Sequence, residues 1–155
     1  MAYVLVNIGS NLGDRRLNLS RAMRKIGELF GDFEISHVVE SEPWGFDSTH
    51  SFLNLGMSFQ ADLSPMDLLR CLQDIERSIS ETRHRTSDGG YADREIDIDI
   101  IAIDREIIDM PELKVPHPKM QERLFVLEPM AELAPGWRHP VTDLTPVEMI
   151  MKIKG

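Results

Sequence analysis

The spacing of hydrophobic positions switches repeatedly between two and three-to-four along the chain, and each switch predicts an element. Residues 2–8 are apolar with little interruption and predict a first strand. Gly9-Ser10-Asn11-Leu12-Gly13 favours a turn, and Asp14 suits the N-cap of a following helix. Leu17, Leu19, Ala22, Met23, Ile26, Leu29 and Phe30 then fall at helical spacing, closed by Gly31. Phe33 to Val39 predicts a second strand and Phe52 to Ala61 a third. Between them runs a loop from Glu40 to His50, with proline, glycine and aromatics. Ser64-Pro65-Met66-Asp67 opens a second helix with a cap, a first-turn proline and an acid, and its apolar seam is Leu68, Leu72, Ile75 and Ile79. A polar, glycine-containing loop spans Glu81 to Asp93.

The next stretch, Arg94-Glu95-Ile96-Asp97-Ile98-Asp99-Ile100-Ile101, alternates with period two and predicts a fourth strand. Arg105 to Pro116 reads as irregular or a short hairpin, and Pro116-His117-Pro118 as a rigid corner. Gln121 to Leu133 predicts a short helix, and Pro146 to Ile150 begins a last one. The order strand, helix, strand, strand, helix, strand is the ferredoxin-like unit. The expected fold is α+β: a four-stranded antiparallel sheet, both main helices on one face, the other face free for a site, and a helical C-terminal extension. With no repeat or linker, residues 1–155 are read as one domain.

In the fourth strand Asp97 and Asp99 share one face, while Ile96, Ile98 and Ile100 share the other. Two positions along a strand are roughly 6.6 Å apart. Ionising two carboxylates that close in a partly buried place is costly, and a divalent cation removes that cost. Mg²⁺ suits them, since it takes one or two carboxylates and fills its shell with water and phosphate oxygens. An Asp-x-Asp pair also fits the solvated face of an edge strand. That reading is disfavoured because the strand runs on into Ile101-Ala102-Ile103, apolar on both faces.

Charge narrows the classes further. The formal net charge is -9, which argues against a general nucleic-acid binder and requires a locally basic site for any anionic substrate. The single cysteine, Cys71, excludes an internal disulfide framework and fits a reducing, cytoplasmic setting. The N-terminal apolar run is too short to span a bilayer, so no membrane is expected. Arg83, His84, Arg85, Arg94, His117 and Arg123 group in sequence around the two aspartates. Each alone is an ordinary surface charge. Together with two carboxylates and a cation they suit a polyphosphate. No P-loop, Ser-His-Asp, CxxC or HExxH pattern competes. Phe52, beside Asn54, and Phe125, beside Arg123, are ordinary core candidates that could instead hold a flat heterocycle by stacking and edge hydrogen bonds.

With these residues in hand, the chain resembles the 6-hydroxymethyl-7,8-dihydropterin pyrophosphokinase family of folate biosynthesis. The resemblance runs along nearly the whole chain: Gly9-Ser10-Asn11-Leu12, Glu42-Pro43-Trp44-Gly45, Phe52-Leu53-Asn54, Gln73 with Glu76, Asp93 through Ile100, Val115-Pro116-His117-Pro118, and Arg123 through Pro129. It departs in Gly90-Tyr91-Ala92-Asp93, where many members carry Trp-Gly-Pro.

The resemblance implies transfer of pyrophosphate from ATP to the pterin hydroxymethyl group, releasing AMP. It implies that Asp97 and Asp99 hold two Mg²⁺ ions. Arg83, Arg85, Arg94, His117 and Arg123 would contact phosphates, and Gln73, Glu76 and Ile100 would lie near the nucleotide. Ser41, Pro43, Trp44 and Asn54 would line the pterin site, with the ring stacked between Phe52 and Phe125. Asp97, Asp99, Arg83, Arg85 and Arg94 would form the catalytic set. The expected partners are ATP and the pterin, and the expected state is a monomer. The two long loops are expected to close over the substrates. Two other classes share parts of the pattern: a non-catalytic nucleotide- or metabolite-sensing module, and an RNA-recognition domain, which would need a basic surface. Within enzymes the alternative is a Mg²⁺-dependent kinase for another small alcohol.

Overall fold

The computed structural model describes residues 1–42, 51–80 and 95–155. Its strands are β1 (Ala2–Ser10), β2 (Phe33–Ile35), β3 (Val39–Ser41), β4 (Phe52–Ala61) and β5 (Asp97–Ile103), with a small hairpin of β6 (Ile108–Asp109) and β7 (Lys114–Val115). Its helices are α1 (Arg15–Phe30), α2 (Pro65–Ile79), α3 (Leu124–Leu133) and α4 (Pro146–Lys154). The main sheet runs β2-β4-β1-β5, with β3 also on β4, and every pairing is antiparallel. That is the expected ferredoxin-like arrangement.

The helix starts follow from their caps. The Asp14 side chain accepts from the Leu17 amide at the head of α1, and Ser64 accepts from Asp67 at the head of α2. Both helices cover one face of the sheet. Leu19, Ala22 and Ile26 of α1 and all four seam residues of α2 join Val4, Val6, Ile8, Leu55, Met57, Ile98 and Ile100 in the larger core cluster.

The strands differ from expectation in two places. β1 continues through Gly9 and Ser10, because Gly9 pairs with Asn54 on one side and Asp97 on the other. The second strand breaks into two. Ile35 pairs with Met57 but Val39 with Asn54, so one residue is extra on the outer side. Ser36 fills the gap: its amide donates to the Gly56 carbonyl at 2.9 Å, and its hydroxyl accepts from the Gly56 amide at 2.8 Å.

The opposite face, expected to be free for a site, is covered along part of its length. A second core cluster joins Leu5, Ile101 and Ala102 to Met120, Val126, Leu127, Met130, Trp137 and Met149. The C-terminal helices therefore cover one end of that face. A bulge opposite Leu5/Val6 shifts the β1–β5 register, so that Leu5 pairs with Ala102 and Val6 with Ile100. Neighbouring Ile101 and Ala102 both pack in the second cluster, which explains why the strand is apolar on both faces here. The expected helix over residues 121–133 is a 3-10 turn, Met120–Glu122, and then α3, with Arg123 extended between them (φ -123°). Among the described residues no helix is long and apolar enough to cross a membrane.

Candidate active site

The end of that face beyond the second core cluster is polar, and its layout is a matter of register. Gly9 sits between Asn54 and Asp97, and Asn7 sits between Gly56 and Asp99. Side chains alternate along a strand, so Asn54, Asp97, Asn7 and Asp99 share this face. The isoleucines that alternate with the aspartates lie in the main core, as expected. Asp97 and Asp99 are half-buried, neither on a fully solvated edge nor sealed.

On the β4 side, Asn54 is 2% exposed. Its amide nitrogen donates to the Ser41 hydroxyl at 2.8 Å and the Val39 carbonyl at 3.2 Å. The two residues expected at the heterocycle edge are thus brought into contact. A Cβ on Gly9 would lie 3.1 Å from the Asn54 Oδ1 and 3.4 Å from Phe52 Cδ1. Glycine is what lets the amide and the aromatic ring lie so close to the middle strand.

Asn7 ties this face to the C-terminal unit: its Nδ2 donates to the Phe125 carbonyl at 3.0 Å. Phe125 is half-buried, and the Arg123 guanidinium carbon lies 5.6 Å from its ring centroid. Arg123 itself is 8% exposed. His117 is held beside β5, its amide donating to the Ile101 carbonyl at 2.8 Å. Its Nδ1 accepts from the Lys119 amide at 3.2 Å, which leaves Nε2 to carry the proton of the neutral ring. Burial first, then the charges of Arg123 and Lys119, push the imidazole down to about 4. At neutral pH it is an uncharged N–H donor beside a fixed cation.

The nucleotide residues expected on α2 divide. Gln73 is exposed. One turn on, the Glu76 Oε2 accepts from the Ile98 amide at 2.7 Å, so this carboxylate anchors the strand between the two aspartates. The Ile100 side chain packs in the main core, which leaves only its main chain for a ligand. Arg83, Arg85, Arg94, Pro43, Trp44 and Tyr91, and most of both proposed closing loops, lie outside the described residues. Among the described residues no group of three or more His, Cys, Asp or Glu could hold a metal ion. Two carboxylates alone fit a cation that takes the rest of its shell from phosphate and water, as Mg²⁺ does. Pattern reading did not single out Asn7, although a polar residue inside Val4-Leu5-Val6-Asn7-Ile8 is a signal that something must satisfy it.

An α+β sheet with an acid pair and an amide-aromatic pair on one polar patch defines a phosphotransferase-like class only loosely, because this superfold hosts many functions. Comparison with protein families is more specific. Residues 5–135 match the family described as 7,8-dihydro-6-hydroxymethylpterin-pyrophosphokinase (HPPK), and the chain belongs to that family.

Among curated relatives, a 2-amino-4-hydroxy-6-hydroxymethyldihydropteridine pyrophosphokinase of Porphyromonas gingivalis is 42% identical over 142 residues, spanning 90% of this chain and 95% of the relative. Proteins of the same name from Aquifex aeolicus and Bacillus subtilis are each 36% identical, over 91% and 86% of this chain and 86% and 77% of their own lengths. In fold, the chain is similar to the crystal structure of Plasmodium falciparum HPPK-DHPS A437G with SDX-DHP. The TM-score is 0.76 at 13% identity, over 97% of this chain and 45% of that longer one. The chain therefore spans less than half of that protein's length.

Proposed function

We propose that this chain transfers the pyrophosphoryl group of ATP to the hydroxymethyl group of 6-hydroxymethyl-7,8-dihydropterin, as the names of its relatives imply, and that the polar end of the sheet is where it does so. The observation that carries this reading is the register. Gly9 pairs with Asn54 on one side and Asp97 on the other, so a heterocycle site and an acid pair are adjacent on one face.

In this reading the pterin edge meets Ser41 and Asn54, and its ring stacks between Phe52 and Phe125, with Pro43 and Trp44 completing the site. Two Mg²⁺ ions, when bound at Asp97 and Asp99, would neutralise triphosphate charge and lower the pKa of the hydroxymethyl group. The hydroxymethyl oxygen attacks the β-phosphorus, the bond from that phosphorus to the oxygen bridging to the α-phosphate breaks, and AMP leaves. A carboxylate of the acid pair takes the hydroxyl proton. His117 donates through Nε2 to a phosphate oxygen, and Arg123 adds a fixed charge, together with Arg83, Arg85 and Arg94. Gln73, Glu76 and the main chain of Ile100 lie toward the nucleotide. Most of the rate comes from positioning and charge neutralisation, since phosphoryl transfer needs little covalent help. We further read residues 1–155 as one domain acting as a cytoplasmic monomer, in keeping with a free Cys71.

The acid pair is tested by Asp97→Asn and Asp99→Asn. Mn²⁺ with α,β-methylene-ATP should give a bound-ion resonance signal in the parent and a much weaker one in each variant. Turnover should fall by about a hundredfold or more, with the melting temperature little changed. A folded variant with parental turnover and Mn²⁺ binding would remove the aspartates from the mechanism.

A further inference from the structure

The chain neighbours of Ser41 and Phe52, Glu40 and Ser51, lead to Arg15 at the head of α1, which packs on the other face of the sheet. Arg15 is the first residue of α1. Its Nη1 donates to both the carbonyl and the hydroxyl of Ser51, each at 3.0 Å. The Ser51 hydroxyl in turn donates to the Glu40 Oε2 at 2.5 Å, and that carboxylate lies 3.9 Å from the same guanidinium nitrogen.

Glu40 immediately precedes Ser41, and Ser51 immediately precedes Phe52. In the β3–β4 ladder Glu40 pairs with Leu53, and the terminal rung is Ser41 with Phe52. Leu53 belongs to the helix-side core, so Glu40 is on that side of the sheet and Ser41 on the other. We propose that Arg15 is a positioning residue for the pterin half of the site: from behind the sheet, through Ser51 and Glu40, it holds the terminal rung from which Ser41 and Phe52 present themselves to the heterocycle. The proposal rests on the pterin reading of that patch.

The chemistry suits a positioning role. Ends of ladders fray at little cost, and Ser41 and Phe52 sit at such an end. An exposed ion pair alone would add little, and the Glu40 side chain is 64% exposed. The two bonds to Ser51 matter more, because they fix a backbone carbonyl and a side chain with one planar group. A fixed rung spares the pterin the cost of ordering it on binding. Among the described residues, those assigned to ATP and metal sit on α2, on β5 and on the segment from His117 to Arg123, whereas the clamp joins the head of α1 to β3 and to the residue before β4.

The test is steady-state kinetics with ATP and 6-hydroxymethyl-7,8-dihydropterin, each varied in turn. Arg15→Met should raise KM for the pterin by about tenfold, leave KM for ATP within about twofold, and change kcat little. Arg15→Lys should recover part of the loss. Should Arg15→Met not fold, as judged by its melting curve, Ser51→Ala makes the same cut by removing one hydroxyl, and the same split is expected at smaller size. A pterin KM within about twofold of the parent, or an ATP KM that rises in parallel, would overturn the proposal. Asn54→Ala separates the two readings. If it raises the pterin KM and the clamp variants do not, only the clamp is wrong; if it leaves the pterin KM unchanged, the pterin site and the clamp fall together.

Discussion

A polar residue inside an apolar strand has to be satisfied, and Asn7 is satisfied by the Phe125 carbonyl. The same side chain that interrupts β1 therefore fastens the start of α3 beside the acid pair. His117 shows how environment sets a residue's chemistry. It is read from sequence as a member of a basic group, but burial and the cation Arg123 keep it neutral at pH 7. Its proton is what a phosphate oxygen needs, and its charge would only repel the neighbouring arginine.

The depressed value has a cost in acid. An unfolded histidine protonates near 6.5 and the folded one near 4, so stability is whole above the first value. It drains away as pH falls between the two and levels off below the lower one. Allowing for partial exposure, the loss is about 2 kcal/mol. His117→Gln should flatten that part of the profile: in denaturant unfolding at pH 7.5 and pH 4.5, the variant should lose less stability than the parent. Equal losses would mean that the imbalance at His117 is not felt by the fold.

At the scale of elements, the alternation of Ile and Asp in β5 was readable from sequence, because a period of two needs no tertiary information. The cover over Ile101 and Ala102 was not. A bulge depends on the register of two strands far apart in the chain, and the second core cluster forms only when α3 and α4 fold back. The split of the second strand at Ser36 has the same origin, since the serine hydroxyl replaces a ladder bond that no local pattern announces. The resemblance to a family named more candidate site residues than periodicity could, but it did not say that Glu76 spends its carboxylate on the Ile98 amide.

Gly56 shows how tightly α3 sits. A Cβ there would lie 2.6 Å from the Cβ of Pro129 and 3.2 Å from Leu133 Cδ1. Pro129 is buried within the helix and cannot rotate away. Gly56→Ala should therefore cost about 2 kcal/mol, read as a lower midpoint in urea, and should lift α3 from β4. A variant of parental stability would show that the helix can shift without loss.

At the scale of the whole molecule, two cores lie on opposite faces of one sheet, and the second stops short of the sheet's end. Beyond it lies a polar row in which Asn54, Gly9 and Asn7 are buried and Asp97 and Asp99 are half-buried. A chain with a formal net charge of -9 repels ATP at long range, so in the proposed reading the local attraction falls to the basic residues and the divalent ions assigned to this row. Binding at the row should therefore weaken as salt rises, more for ATP than for the uncharged pterin.

The most direct test is the identity of the nucleotide product. The protein is incubated with ATP, Mg²⁺ and 6-hydroxymethyl-7,8-dihydropterin, and AMP is separated from ADP. AMP formed in step with a diphosphorylated pterin, and lost in Asp97→Ala, is the expected result. ADP in step with a monophosphorylated pterin would contradict attack at the β-phosphorus, and ATP bound without turnover would contradict catalysis at this face altogether.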